Sequence, residues 1–335
     1  MTDTTKRQTP PALTRRRMIS ISAASAALLL PGLAEARAER VVWRGVALGA
    51  EAQIQLAHRD EKRAARVLKH CVAEINRLED IFSLYRRDSA LNRLNRDGQL
   101  LSPDMALVEL VATALQISRE TEGAFDVSVQ PLWTLYAGHF STPGADHAGP
   151  GEKQIRQALE RIGYQHIRLS TQRIALERRG MALTLNGIAQ GFITDAISAL
   201  LNQHGFFNVL VHLGETFGAG TKPDGTPWRA GIAATDGSGA LLKKINLQNR
   251  ALATSGGYGH MFAAGGQHHH LFDPHSGLSA QRYKSVSVIA PAATTADALS
   301  TAFTNMSLES IEKILTRRTD TFATIVRQDG RMVEM

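Results

Sequence analysis

The sequence predicts an α+β fold with mixed and antiparallel sheets and flanking helices. Strand-like and helix-like patterns follow one another without the regular strand–helix–strand rhythm of a doubly wound sheet. Hydrophobic residues make up 43% of the chain and charged residues 21%, which is typical of a globular protein and excludes a disordered one. At 335 residues the chain could hold one large domain or two ordinary ones, and no short repeat divides it.

The first predicted elements are a strand pair and two helices. Loose alternation around two turn glycines predicts strands over 41–57. Apolar residues at helical spacing predict a helix over 61–81. Ser102 and Pro103, a capping residue and a first-turn proline, predict the start of a helix over 103–121.

Two stretches predict loops between the regular elements. Residues 82–95 are polar and turn-prone after an aromatic start, and residues 138–151 are rich in Gly and Pro. Apolar periodicity predicts the elements that follow, which are helices at 152–162, 189–204, 294–305 and 308–317, strands at 166–169, 173–176, 182–185, 208–213, 228–234, 241–247, 251–254, 268–272 and 284–290, and a hairpin at 321–334.

The N-terminus predicts an export signal. The basic segment TRRRMIS (14–20) precedes an Ala-rich apolar stretch, 21–34, and an Ala-x-Ala site that would be cut after Ala36 or Ala38. The arginines in this context fit the twin-arginine type. Because the apolar stretch is shorter than the roughly 20 residues of a spanning helix, a membrane anchor is the weaker interpretation. We therefore expect residues 1–38 to be cleaved and the mature chain to be soluble in the periplasm.

Charge and cysteine content exclude further classes of protein. Residues 1–38 carry six basic and two acidic side chains, so their removal lowers the formal net charge from +7 to +3 over residues 39–335. The remaining Arg and Lys are scattered without interleaved aromatics, which argues against a nucleic-acid partner. The single cysteine, Cys71, excludes an intramolecular disulfide, and its place in a helical pattern predicts a buried apolar side chain.

Four stretches combine turn glycines with polar side chains beyond what a plain core requires, and they lie at 122–133, 183–196, 251–262 and 294–303. In the first, Phe125 and Asp126 follow a glycine and could hold a planar ring. In the second, a strand pattern runs into Asn186–Gly187 and then a helix, so free backbone amides suit a phosphate and backbone carbonyls a hard cation. A plain strand–turn–helix connection remains the alternative.

The third and fourth stretches also allow two interpretations. Thr254 and Ser255 offer hydroxyls beside two glycines, although a Gly-rich hairpin explains them equally well. Asp297 and Thr301 share one helix face and offer oxygen ligands that suit Mg²⁺. An aspartate near a helix N-terminus also stabilises the helix dipole, which is the alternative there.

Taken in order, these stretches resemble the ApbE family of FAD:protein FMN transferases over about residues 46–327. FSLYRRDSALNRLN is similar to the family's aromatic-Ser-x-Tyr-Arg segment, and GAFD stands as it does there. LNGIAQGFITDA is similar to its Gly-Ile-Ala-Lys-Gly turn, ATSGGY to its Ala-Thr-Ser-Gly segment, HLFDPHSG to its His-x-x-Asp-Pro-x-Thr-Gly segment, and ADALSTA to its metal helix. Six ordered matches are far more specific than any one of them. The signal and the LNGIAQG turn are most similar to the NosX branch, exported for nitrous oxide respiration.

The resemblance implies an ApbE-like unit of two intertwined subdomains and Mg²⁺-dependent transfer of FMN from FAD, the substrate, to a Thr or Ser hydroxyl, with release of AMP. The acceptor would be an exported or membrane-bound flavoprotein. By position, Asp297 and Thr301 would bind Mg²⁺ with side-chain oxygens and Gly187 with its carbonyl. The residues that would line the FAD pocket are Leu48, Tyr85, Ala124, Phe125, Asp126, Thr184, Gln190 and Leu271.

The run HHHLFDPHSG at 268–277 poses a choice between a metal site and one catalytic histidine. By its place three residues before Asp273, His270 resembles the family's histidine and would take the proton of the acceptor hydroxyl, a role that suits a group titrating near neutral pH. His268 and His269 have no counterpart, and on a strand His269 would point away from the other two. A zinc site is the alternative, weakened because no cysteine or carboxylate accompanies the histidines at ligand spacing.

Four positions depart from the family pattern. Thr184 stands where the family usually has Asp, Gln190 where it has Lys or Glu, Gly257 replaces a frequent acidic residue, and no Pro follows Gly277. The absence of a carboxylate at position 184 would reduce the negative charge around the metal and weaken metal binding. Two alternatives to the transferase therefore stay open, an FAD pyrophosphatase that gives FMN and AMP and a non-catalytic flavin-binding maturation protein.

Overall fold

The computed structural model describes residues 21–22, 40–58, 60–235, 238 and 240–335, so the predicted export signal lies outside the described residues apart from 21–22. The α-helices of this part are α1 (Glu61–Phe82), α2 (Ala90–Asp97), α3 (Met105–Glu120), α4 (Gln130–Phe140), α5 (Glu152–Leu159), α6 (Ala189–Gln203), α7 (Ala293–Phe303) and α8 (Leu308–Arg317). The strands are β1 (Ile21–Ser22), β2 (Arg40–Ala47), β3 (Ala50–Ala57), β4 (Gln99–Leu101), β5 (Ile167–Leu169), β6 (Arg173–Leu176), β7 (Val209–Leu213), β8 (Thr216–Ala219), β9 (Trp228–Ala233), β10 (Leu241–Leu247), β11 (Arg250–Gly256), β12 (Tyr283–Ala290), β13 (Phe322–Arg327) and β14 (Met332–Glu334).

The strands form three antiparallel sheets. The largest has the order β1-β2-β3-β7-β8-β11-β12-β13-β14, a smaller one the order β4-β6-β5, and β9 and β10 form a two-stranded ribbon. Helices α1, α6 and α7 pack beside the large sheet. The α+β prediction with antiparallel sheets and flanking helices is confirmed. Among the helices of the described residues, none combines the length and the apolar character that a membrane crossing requires.

Helix α1 follows the periodicity that predicts it. Asp60 caps its N-terminus, with the side chain accepting a hydrogen bond from the Arg63 backbone N–H at 2.9 Å. Its apolar stripe is buried, and Cys71 lies fully inside the core, as predicted. Burial raises the pKa of the Cys71 thiol to about 12, so this side chain serves packing and not nucleophilic chemistry.

Contacts between α6 and α7 decide where the candidate metal ligands lie. Helix α7 has no side-chain cap of its own, and the carboxylate of Asp195 on α6 replaces it by accepting hydrogen bonds from the backbone N–H groups of Ala293 (2.7 Å) and Thr294 (2.8 Å). Gly191 allows the two helices to approach, because a Cβ at that position would lie 2.4 Å from the carbonyl oxygen of Ala293. The two contacts hold α7 in one register against α6.

The predicted loops at 82–95 and 138–151 are confirmed over 83–89 and 141–151, and helices occupy the rest of each stretch. Helix α2 begins inside the first, because Ser89 caps it (3.0 Å to the Asn92 N–H) and its two leucines are fully buried. Helix α4 reaches into the second as far as Phe140, since its apolar face is buried in a separate small core. The free energy gained by burying a short apolar helix face outweighs the loop preference of a polar local sequence.

Two predicted strands are wrong, and one helix begins later than predicted. Residues 182–185 are not a strand; the Asn95 side chain brackets Leu183 by bonding both its N–H (2.7 Å) and its carbonyl (2.8 Å). Residues 268–272 form only isolated bridges, Met261 with His269 and Phe272 with Ser279. Helix α3 begins at Met105, because Asp104 and not Ser102 supplies the cap.

Candidate active site

A cavity of about 660 Å³ contains every residue that the sequence singled out for catalysis, cofactor binding or metal binding. These twelve residues come from six stretches of the chain between the end of β2 and α7, and each of them lines the cavity wall. The volume is that of a small-molecule site. The structure therefore brings the predicted residues together in one place, while their individual roles stay predictions.

The predicted Mg²⁺ ligands lie where α7 faces the turn before α6. Asp297 is 4% exposed, and its Oδ2 accepts a hydrogen bond from the Gly191 backbone N–H at 3.0 Å. Thr301 follows one turn later, with its Oγ1 3.3 Å from Ser255 Oγ on β11. A Cβ at Gly187 would lie 3.0 Å from Thr301 Oγ1, so the Gly187 backbone is adjacent to that hydroxyl.

Glu215 is a site residue that sequence reasoning missed. It lines the same cavity, is 8% exposed, and accepts a hydrogen bond from the Thr254 backbone N–H. Burial raises its pKa well above the ordinary value, and the nearby carboxyl of Asp297 raises it further. Burial likewise raises the pKa of Asp297 to about 7, against the lowering effect of the Gly191 N–H. An acid two residues after the predicted strand 208–213 was the signal that could have indicated it.

Within the part of the chain that the structure describes, the cavity wall offers acidic side chains and no Lys or Arg. Of the described residues that line it, Asp126, Glu215 and Asp297 are acids, and none is a lysine or an arginine. No three His, Cys, Asp or Glu side chains of the described residues form a cluster that could hold a metal by themselves. A carboxylate, a hydroxyl and a backbone carbonyl are nevertheless a donor set that fits Mg²⁺, which takes one or two carboxylates and completes its coordination with water or phosphate oxygens.

His270 is held by a single backbone carbonyl. The oxygen of His260 accepts the His270 backbone N–H at 3.1 Å and also lies 3.1 Å from the ring Nδ1. Since only a protonated Nδ1 can donate to a carbonyl, the contact selects the tautomer whose Nε2 is the free base. Burial lowers the pKa of His270 to about 4, so the ring is neutral at pH 7.

The other two histidines of the run have structural contacts. His269 is 4% exposed, with Nε2 2.8 Å from the Ala280 carbonyl, and its own N–H donates to Ser279 Oγ at 2.9 Å. A Cβ at Gly257 would lie 2.5 Å from the His269 ring, which explains why glycine replaces the family's frequent acid there. His268 lies against aromatic rings, 5.0 Å from Phe140 between ring centroids.

Asp126 organises the loop that presents Phe125 to the cavity. Its carboxylate accepts hydrogen bonds from the Ser128 N–H (2.8 Å), the Ser128 hydroxyl (2.6 Å) and the Tyr164 N–H (2.8 Å). Burial raises the pKa of Asp126, and these donors act in the opposite direction. The side chain therefore braces the loop, and the buried faces of Ala124 and Phe125 complete an apolar wall.

The remaining predicted FAD residues lie on the cavity walls and at its rim. Leu48 occupies the β2–β3 turn with φ 46° and donates its N–H to Glu79 Oε1 at 2.8 Å, whereas Tyr85 is 75% exposed. Gln190 lies over the backbone of Gly214, where a Cβ would be 2.4 Å from its Cδ. The Thr184 backbone N–H donates to the Val127 carbonyl at 2.8 Å. This bond holds Thr184, which stands where the family usually has Asp, beside the Asp126 loop.

Several known proteins are similar to this chain in sequence and in fold. The FAD:protein FMN transferase of Escherichia coli strain K12 is 28% identical over 290 residues, which cover 83% of this chain and 82% of that protein. The protein of the same name from Treponema pallidum is 30% identical over 272 residues, 70% of this chain and 72% of that one. Among solved structures, the ApbE protein of Thermotoga maritima matches with a TM-score of 0.78 at 26% identity, covering 88% of this chain and 96% of that chain.

A second solved structure, the apo form of the flavinyl transferase ApbE of Pseudomonas stutzeri, matches with a TM-score of 0.73 at 27% identity and covers 89% of this chain and 94% of that chain. The ApbE family model matches residues 48–326, which contain the whole candidate site. The match extends over most of the described chain, from the β2–β3 turn to β13. The chain therefore belongs to the ApbE family.

Proposed function

We propose that this chain transfers FMN from FAD to a Thr or Ser hydroxyl of an acceptor protein in a Mg²⁺-dependent reaction that releases AMP. The names of its relatives support the reaction, and one observation on this chain carries the metal dependence. The cavity wall offers acids and no Lys or Arg among its described residues, so the negative pyrophosphate of FAD needs a cation to enter it.

The donor set proposed for that cation is Asp297, Thr301 and the Gly187 carbonyl. Bound Mg²⁺ would neutralise pyrophosphate charge and stabilise the leaving phosphate. Asp297 is suited to this role because the Gly191 N–H occupies Oδ2 and orients the carboxyl group. The apolar wall of Ala124 and Phe125 excludes water from one side of the bound dinucleotide.

His270 supplies the proton acceptor. Its Nε2 takes the proton of the acceptor hydroxyl while the hydroxyl oxygen forms a bond to the phosphorus of the FMN half. The bond from that phosphorus to the bridging oxygen breaks, and the bridging oxygen leaves with AMP. With a pKa of about 4 the free ring is a weak base, and the negative charge of bound FAD would raise that pKa toward neutrality.

The predicted twin-arginine signal extends the proposal to location. The mature chain acts in the periplasm, and its acceptor is an exported or membrane-bound flavoprotein. Labelling of respiratory proteins with covalent flavin in cells that lack this chain, compared with the parent cells, tests this part. An unchanged flavinylation pattern would contradict it.

One incubation separates the proposal from its two alternatives. The purified chain is mixed with FAD, Mg²⁺ and a candidate acceptor, and products are resolved by gel fluorescence and chromatography. Covalent flavin on the acceptor with one AMP per flavin supports transfer. Free FMN and AMP in equal amounts, with no labelled protein, would support a pyrophosphatase, and unchanged FAD would support a binding protein.

A further inference from the structure

An aromatic surface beside His270 is left unexplained by the proposed FAD and metal residues. It consists of Trp133, Tyr258 and His260, which all line the cavity, and we call it the aromatic shelf. The Trp133 and His260 rings are stacked with centroids 6.2 Å apart, and Phe262 contacts both rings edge-on. Tyr258 is 50% exposed.

The shelf is continuous with the proposed base. His260 supplies the carbonyl that holds His270, and the two imidazole rings lie 6.2 Å apart and nearly perpendicular. In the proposed FAD position, the flavin and pyrophosphate contact the apolar wall and the metal ligands. The shelf is the part of the cavity wall beside His270, so an acceptor chain that places its hydroxyl at His270 would contact it.

The chemistry of the shelf restricts what can lie on it. Residues 257–272 contain no Lys, Arg, Asp or Glu, and histidine is their only ionisable type besides Tyr258. A carboxylate laid on these rings would lose water without gaining a partner of opposite charge, whereas an apolar side chain would gain contact area. The surface therefore favours an apolar segment over an acidic one.

We propose that the aromatic shelf is the docking surface for the acceptor protein, and that it recognises an uncharged, apolar segment next to the modified hydroxyl. The inference rests on the proposed transfer reaction and adds the residues that select its second substrate. Trp133 and Tyr258 are binding residues in this proposal and take no part in the chemistry.

Tryptophan fluorescence gives a readout that does not depend on catalysis. Of the three tryptophans, Trp43 and Trp228 are 6% and 2% exposed, whereas Trp133 is half-buried in the cavity wall, so iodide quenching reports mainly on Trp133. The probes are two synthetic peptides without Trp, each with one central Thr, flanked in one by Ala, Leu and Val and in the other by Glu. We expect the uncharged peptide to protect Trp133 from iodide and the Glu peptide to leave quenching unchanged, both measured without FAD because flavin itself quenches tryptophan emission.

Kinetics with variants complete the test. Trp133→Ala should raise the KM for the uncharged peptide by about tenfold, as for truncation of an aromatic anchor, with the FAD dissociation constant unchanged. Tyr258→Ala changes an exposed side chain, keeps the fold intact and should act in the same direction. Phe207→Ala is the control, because Phe207 is 62% exposed and does not line the cavity.

The outcomes separate the shelf from the reaction. A weaker FAD affinity in Trp133→Ala, or an unchanged peptide KM in both variants, would overturn the shelf even if flavin transfer is observed. Protection by the uncharged peptide in a chain that labels no hydroxyl would uphold the shelf and refute the proposed function.

Discussion

Replacing Gly191 with alanine tests whether the α6–α7 contact builds the metal site. The new Cβ would lie 2.4 Å from the Ala293 carbonyl oxygen and 2.8 Å from the Thr294 Cα, both backbone atoms that cannot rotate away. Since real Cβ contacts stay beyond 3.0 Å, α7 has to move by at least about 0.6 Å, the difference between that limit and 2.4 Å. The same shift lengthens the bond from the Gly191 N–H to Asp297.

The size of the effect follows from two opposing contributions. Overpacking costs about 1–3 kcal/mol, and a contact with backbone falls at the upper end. Alanine regains about 1 kcal/mol of helix propensity over glycine, so the net loss in the free energy of unfolding is about 2 kcal/mol. Because Asp297 moves with α7, we also expect a weaker Mg²⁺ response of stability and of transfer.

The assay is urea unfolding with and without Mg²⁺, with Gly138→Ala as the matched control. Gly138 lies in α4 with nothing within 4 Å of the added Cβ, so that variant should be more stable than the parent by up to about 1 kcal/mol. If Gly191→Ala behaves like Gly138→Ala in stability and in Mg²⁺ response, the α6–α7 contact does not set the site.

Three further predictions concern the ionisable residues. His270→Ala should leave the FAD affinity unchanged and lower the transfer rate at least about a hundredfold, as expected for removal of a general base. Covalent flavin on the acceptor, measured in reactions stopped at successive times, gives this rate. An unimpaired rate would refute the assignment of His270 as the base. Asp297→Asn should abolish the effect of Mg²⁺ on stability and on the transfer rate. With a chelator present, the free energy of unfolding of this variant should also depend less on pH than that of the parent. A carboxyl whose pKa is raised from 3.8 to about 7 on folding favours the folded state fully below pH 3.8, and this contribution is lost as the pH rises through 7; equal pH profiles of variant and parent would contradict the shift. Glu215→Gln should change the free energy of metal-free unfolding by less than about 1 kcal/mol, because burial raises the pKa of Glu215 and so favours its protonated form, and glutamine has nearly the same shape and can accept the Thr254 N–H. A larger loss in urea titrations would show that the carboxylate form is required.

Local sequence carried the information about chemistry. Turn glycines, the spacing of Asp297 and Thr301, and the order of six short segments predicted the residues that the structure places around one cavity. These signals are readable because each depends on neighbours within a few positions, such as one helix turn between the aspartate and the threonine. Helix α1 and the hairpins were predicted for the same reason.

Contacts between distant segments could not be predicted in this way. Glu215 became a site residue because it is buried close to Asp297, 82 positions away, and Asp195 caps a helix that begins 98 positions later. Contacts between separate segments also explain why 268–272 is not a strand. Ser279 and Ala280 take the hydrogen bonds of the His269 backbone N–H and ring that a neighbouring strand would otherwise compete for. Burial and long-range hydrogen bonding depend on how the whole chain packs, so the electrostatics of the cavity and the shelf beside it exist only in the folded protein.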